Sequence, residues 1–149
     1  MIQRIQTIYL ALAGLCCLGL LGLPFASTEE LVVTSSLFAD GNYKISDNLG
    51  LIFLFIGAAA LAIVAIFLYQ NRSLQSNLTR VATVANIIGL VLGILLFLRD
   101  GINQPEIEVE PNDGLGIFLP ILAIVFLFLA MRGIKKDDQL VRSTDRLRD

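Results

Sequence analysis

The chain has 149 residues, 56% of them hydrophobic, with a mean hydropathy of +0.77 and a formal net charge of −2. A water-soluble domain of this length is about 45–50% apolar, so the composition argues against an ordinary soluble domain. A charge this small also argues against a nucleic-acid surface, and no nucleic-acid partner is expected.

The apolar residues fall in four blocks, 8–25, 49–69, 81–98 and 115–131, and no block contains a charged residue. A hydrocarbon span takes about 20 apolar residues. In lipid each backbone N–H must be bonded within its own segment, so the blocks are expected to be helices. The predicted fold is an all-α membrane protein: one four-helix integral membrane domain over 1–149, ending in a charged cytoplasmic tail, 132–149.

Block one follows Arg4. It is longer than the roughly 7–15-residue apolar core of a cleaved signal, and "GLPFAST" offers no clean small-x-small cleavage pattern. A retained helix is therefore expected, stopped or bent by Pro24. Cys16 and Cys17 point about 100° apart on a helix, which is poor geometry for a mutual disulfide. They read as small apolar fillers. In the first loop Asp40-Gly41 precedes alternating Tyr43, Lys44, Ile45 and Ser46, a hairpin signal, with "LVVT" at 31–34 as a candidate partner strand. Block two carries Ala58, Ala59, Ala60 and Ala62 after Gly57, a close-packing face.

Block three places Ala82, Asn86, Gly89 and Gly93 at spacings of 4, 3 and 4, which puts them on one helix face. Small residues let helix backbones approach, and an asparagine bonds to the neighbouring helix. Packing within the four-helix unit is the favoured reading; self-association or docking to a partner helix is the other. The third loop contains "PEIEVEP", in which Ile107 and Val109 alternate with Glu106, Glu108 and Glu110. A small extracytoplasmic β-cap built from loops one and three is the expectation. The glutamate row admits a cation reading. A solvated strand face that blocks edge pairing fits better, because no Asp/Asn-rich calcium loop accompanies it. Pro120, in the first turns of block four, kinks that helix or fixes how it starts.

The tail holds six basic residues against four acidic ones. Asp138 precedes Arg142 at the favourable i,i+4 spacing. Leu140 and Leu147 align seven apart, flanked by Val141, as a narrow apolar stripe. A solvated, frayed extension is one reading; a partner-binding helix that orders on docking is the other.

The connecting segments set orientation. Arg4, Arg72, Arg80, Arg132, Lys135, Lys136, Arg142, Arg146 and Arg148 lie before block one, between blocks two and three, and in the tail; the other two loops hold only Lys44 and Arg99. Basic residues accumulate on the cytoplasmic side, so both termini are predicted inside.

Span interiors lack ionisable groups, which disfavours a proton relay or voltage sensor. There is no histidine, no nucleophile elbow, no Gly-rich phosphate loop and no Cys/His cluster. No catalytic, cofactor-binding or metal-binding residue is expected, and the protein is read as not an enzyme.

"MIQRIQTIYL" at the start and "IKKDDQLVRSTDRLR" at the end resemble a family of small bacterial four-span membrane proteins known as domain of unknown function 4293. The likeness covers essentially the whole chain, and the terminal motifs are its specific part. It implies a bacterial inner membrane and carries over no site. The function expected is that of a non-enzymatic accessory or scaffold subunit of an inner-membrane assembly. Its expected partners are membrane lipids, and a protein partner or second copy met through the transmembrane faces and the tail. The alternative is a small transporter or channel, for which only Asn86, Thr83 and the span ends offer a polar lining.

Overall fold

The computed structural model describes residues 2–31, 35–100 and 109–146. Its helices are α1 (Ile2–Gly19), α2 (Leu49–Phe67), α3 (Arg72–Arg99) and α4 (Phe118–Arg146). Short 3-10 turns at Ile45–Asp47 and Leu115–Ile117 lead into α2 and α4. Leu49–Phe67, Arg72–Arg99 and Leu115–Thr144 are long and apolar enough to cross a membrane, while Ile5–Gly19 is a shorter apolar helix.

The helices do not end where the apolar blocks end. α1 stops at Gly19, ahead of Pro24, and a turn follows in which Leu23 N donates to the Gly19 carbonyl at 3.1 Å. α3 begins in polar sequence at Arg72, because the Asn71 side chain accepts from Leu74 N at 3.2 Å and caps the first turn. The segment between α2 and α3 is therefore short, and Arg72, Ser76 and Arg80 lie on the helix rather than in a loop. Pro120 is the third residue of α4. The first four N–H groups of a helix have no intrahelical partner, so proline there removes no bond.

Each helix packs against its sequence neighbours, and α4 closes back onto α1. The result is an up-down-up-down bundle. Three core clusters are stacked along it. Phe25, Phe38, Tyr43, Leu51 and Phe55 fill one end. Cys17, Ala58, Ala59 and Ala123 form a narrow middle. Leu10, Ala13, Ala62, Ala82 and Leu127 fill the far end. The alanines of α2 are thus the close-packing face, and larger side chains such as Phe53 and Phe67 point outward.

A three-stranded antiparallel sheet in the order β2-β1-β3 caps the aromatic end, with β1 at Ala26–Ser27, β2 at Asn42–Tyr43 and β3 at Asn112–Asp113. Ala26 pairs with Tyr43 and with Asp113, and Ser27 pairs with Asn42 and with Asn112. Loops one and three build one cap. β2 pairs with the residues leaving α1; of the 31–34 segment expected as its partner strand, 32–34 lie outside the described residues. This pairing brings the rings of Phe25 and Tyr43 together at 5.3 Å over the bundle core. Gly41 makes the turn at a φ of 73°, a left-handed conformation that favours glycine. Of the glutamate row, 105–108 lie outside the described residues; Val109 packs against the aromatic cluster and Glu110 is exposed.

Candidate functional site

The α3 face read from spacing is buried along its length, at Ala82, Asn86, Gly89 and Gly93. Asn86 sits at the centre of the bundle. Its Nδ2 donates to the Pro120 carbonyl of α4 at 2.9 Å, and its Oδ1 accepts from the Cys17 thiol of α1 at 3.8 Å. One amide therefore joins three helices. Gly89 lies against the Phe55 ring of α2, where an added Cβ would stand 2.9 Å from the ring. Gly93 exposes its carbonyl to the Tyr43 hydroxyl, which donates at 2.9 Å and latches the cap onto α3. The chain's own α2 and cap thus fill the small-residue face.

Apart from Thr79, whose hydroxyl donates to the Gln75 carbonyl one turn back, the remaining buried polar groups are not legible from spacing, because each has a partner ten or more positions away. At the end opposite the cap, Gln6 Nε2 donates to Asp137 Oδ2 at 2.7 Å, and Arg72 Nη1 donates to the Asp137 carbonyl at 2.6 Å. These bonds bring α1, α3 and α4 together at one end of the bundle. Gln75 Nε2 donates to the Ala65 carbonyl at 3.0 Å, satisfying the last turn of α2. At the cap end Asp100 closes α3: the Ser35 hydroxyl donates to its Oδ2, and Ser36 N and Oγ donate to its Oδ1 at 3.2 and 3.1 Å. Among the described residues, every buried side-chain nitrogen and oxygen has a hydrogen-bond partner.

As far as Arg146 the charged tail is part of α4. Ile134 and Asp137 are still buried there, while Leu140 and Val141 are 50% and 45% exposed. Arg142 pairs with Asp138 at 3.0 Å, the spacing read from the sequence. Leu147 lies outside the described residues.

A cavity of about 310 Å³ lies beneath the cap, on the outer flank of α3. Its walls include Leu90, Ile94, Phe97, Leu98 and Ile117, with Tyr43 and Asp113 at the sheet side. Burial, and then the carboxylates of Asp47 and Asp100, push the Tyr43 phenol well above its ordinary value, so it stays a donor to Gly93. Burial also raises Asp47, against the Lys44 N–H that donates to its carboxylate at 2.7 Å. Among the described residues no group of three or more His, Cys, Asp or Glu is placed to hold a metal ion.

These features define an α-helical bundle with three helices of membrane-crossing length and composition, closed at one end by a small sheet and cross-linked by internal polar bonds. The model of the family described as Domain of unknown function (DUF4293) matches residues 2–147, and the chain belongs to that family. No curated protein and no solved structure matches it.

Proposed function

We propose that the protein is a non-enzymatic accessory or scaffold subunit of a bacterial inner-membrane assembly, embedded with both termini in the cytoplasm. The observation that carries this reading is how the polar interior is used. Asn86, Gln75, Tyr43 and Gln6 all spend their donors on the chain's own backbone or side chains. A solute pathway needs polar groups turned toward a lumen, whereas these hold helices together. The outward apolar belt, with Phe53 and Phe67 about three-quarters exposed, suits lipid or a partner helix. The cytoplasmic end of α4 projects Leu140 and Val141 on a helix whose neighbours are charged, and this is the surface assigned to a protein partner.

Two measurements test the reading. The full chain in sealed liposomes gives no flux of ions or small solutes above protein-free vesicles; reproducible flux overturns the scaffold reading in favour of a transporter or channel. Leu140→Asp combined with Leu147→Asp removes a co-purifying partner in mild detergent and leaves membrane insertion intact. Retention of every partner by that double variant overturns the role given to the tail.

A further inference from the structure

Basic side chains rim the outside of the α3–α4 pair at the end of the bundle opposite the cap. On α3, Ser76, Thr83 and Ile87 follow at spacings of seven and four, a row on one face. Arg72, one turn before Ser76, fixes that face beside α4, because its Nη1 donates to the Asp137 carbonyl at 2.6 Å. On α4, Ile124, Phe128 and Lys135 form a matching row. Phe128 and Lys135 stand about 160° round the helix from Phe126 and Asp137. Those two residues meet Tyr9 and Gln6 of α1, so the row lies on the flank toward α3. Ser76, Thr83 and Ile124 are half-buried, while Ile87, Phe128 and Lys135 are exposed. The two rows are the walls of an open groove. Arg80 and Arg132 are exposed on its opposite rims, each one turn beyond a wall residue and about 40° further out.

Antiparallel packing brings these cations toward one level. Between the contacts Asn86–Pro120 and Arg72–Asp137, Arg132 comes opposite Ser76, and Arg80 lies about 6 Å nearer the middle of the bundle. Side chains tilt toward the N-terminus of their own helix. Arg80 therefore leans toward the end of the bundle, and Arg132 and Lys135 lean back toward its middle. Among the described residues no carboxylate lies within ion-pair distance of any of the three; the two pairs are Lys44–Asp40 and Arg142–Asp138. The Asp137 carboxylate accepts from Gln6.

We infer that this groove binds an anionic phospholipid, with its phosphate among Arg80, Arg132 and Lys135 and an acyl chain along Ile87, Ile124 and Phe128. The inference rests on the membrane-embedded reading of the bundle. Charge selects the headgroup. Cations without a carboxylate beside them complement a net negative charge, whereas a zwitterion would bring its own ammonium to them. Depth selects a lipid over a soluble anion. Arg80 immediately precedes the apolar block 81–98, where an uncompensated guanidinium is costly and the leaflet's own phosphates are the anions at hand. Guanidinium binds phosphate through paired, charge-assisted hydrogen bonds. Toward the middle of the bundle the groove turns apolar, as the chains of an amphiphile require.

The test uses the full chain in phosphatidylcholine nanodiscs with a trace of phosphatidylglycerol carrying a diazirine on one acyl chain. A phosphatidylcholine with the same modified chain is the comparison. Recovery of the protein in the nanodisc fraction is established first. A chain that does not enter the bilayer sinks the membrane reading itself, separately from this inference. After irradiation, peptide mass spectrometry should place the anionic probe on 83–87 and 124–128 about threefold or more above the choline probe. Val64 and Phe67, exposed on α2, should show no such preference. Arg80→Gln combined with Arg132→Gln should make the two probes equal in the groove, and Arg99→Gln, at the other end of α3, should leave the preference unchanged. Both substituted arginines are exposed, so the double variant should melt in detergent at the temperature of the unsubstituted chain. A lower midpoint would show that these side chains hold the bundle together, and overturns the assignment. Equal labelling by the two probes in the unsubstituted chain, or a preference that survives the double variant, overturns the site. A preference equally strong on α2 overturns its location.

Discussion

At Gly89 and Gly93 one sequence pattern hides two different environments. An added Cβ at Gly89 meets the fully buried Phe55 ring at 2.9 Å, but at Gly93 its nearest neighbour is the Tyr43 hydroxyl at 3.6 Å, an ordinary contact. Gly89→Ala should therefore lower stability by about 1–3 kcal/mol through overpacking. Gly93→Ala should be neutral to stabilising, by up to about 1 kcal/mol, since alanine gains that much helix propensity. Thermal unfolding in one detergent ranks them, and equal loss in both would contradict the packing described. Tyr43 provides a second test. Its raised pKa means that the folded chain keeps a proton above the ordinary value of 10.0, where the unfolded chain releases it. Stability linked to Tyr43 is thus complete below that pH and falls as pH climbs toward the folded value. Tyr43→Phe should cost about 0.5–1.5 kcal/mol at neutral pH, from the lost bond to Gly93. It should also flatten the alkaline decline seen in unfolding midpoints.

Among the elements, the joint between the chain leaving α1 and the start of α4 is the tightest. Gly116 N donates to the Pro24 carbonyl at 2.9 Å, and Gly114 N donates to the Phe25 carbonyl at 2.9 Å. A Cβ at Gly116 would stand 2.4 Å from the Pro24 oxygen and 2.7 Å from the Leu23 oxygen. Those neighbours are backbone, which cannot swing aside as a side chain does. Gly116→Ala should cost about 3 kcal/mol, more than Gly89→Ala, and should loosen the cap. Hydrogen exchange at Ala26, Ser27 and Tyr43 reads that loosening directly; protection matching the unsubstituted chain would show that the joint yields without cost. The same joint explains why β1 pairs with β2. The residues leaving α1 are already fixed beside α4, so they present a strand edge at little further entropic cost.

For the whole molecule, the bonds from Gln6 and Arg72 to Asp137 place α1, the start of α3 and the end of α4 at one end of the bundle, with the sheet at the other. Combined with the distribution of arginine and lysine, this arrangement predicts an inside end at Asp137 and an outside end at Asn112. Single cysteines at Ser73 and Asn112, in a Cys16→Ala, Cys17→Ala background, report it through an impermeant thiol reagent. Both positions are exposed, whereas Ser76 is half-buried on α3. In intact spheroplasts Asn112→Cys should label and Ser73→Cys should not. The reverse result would invert the orientation and leave the fold untouched.

The sequence by itself determined four apolar helices, their order, and the face of α3 that turns inward. These follow from run length and from the 3.6-residue repeat, which are local properties. It also gave the Asp138–Arg142 pair and the turn at Gly41, since i,i+4 spacing and a left-handed glycine depend only on near neighbours. Tertiary structure decided which strand pairs with β2, what sits on Gly89, and where Gln6, Tyr43, Asp100 and Asp137 find their partners. The bonds from Gln6 to Asp137 and from Ser35 to Asp100 join residues 131 and 65 positions apart. No periodicity connects such residues. They meet because the bundle folds the chain back on itself, and a buried donor or acceptor is costly until that closure supplies its partner.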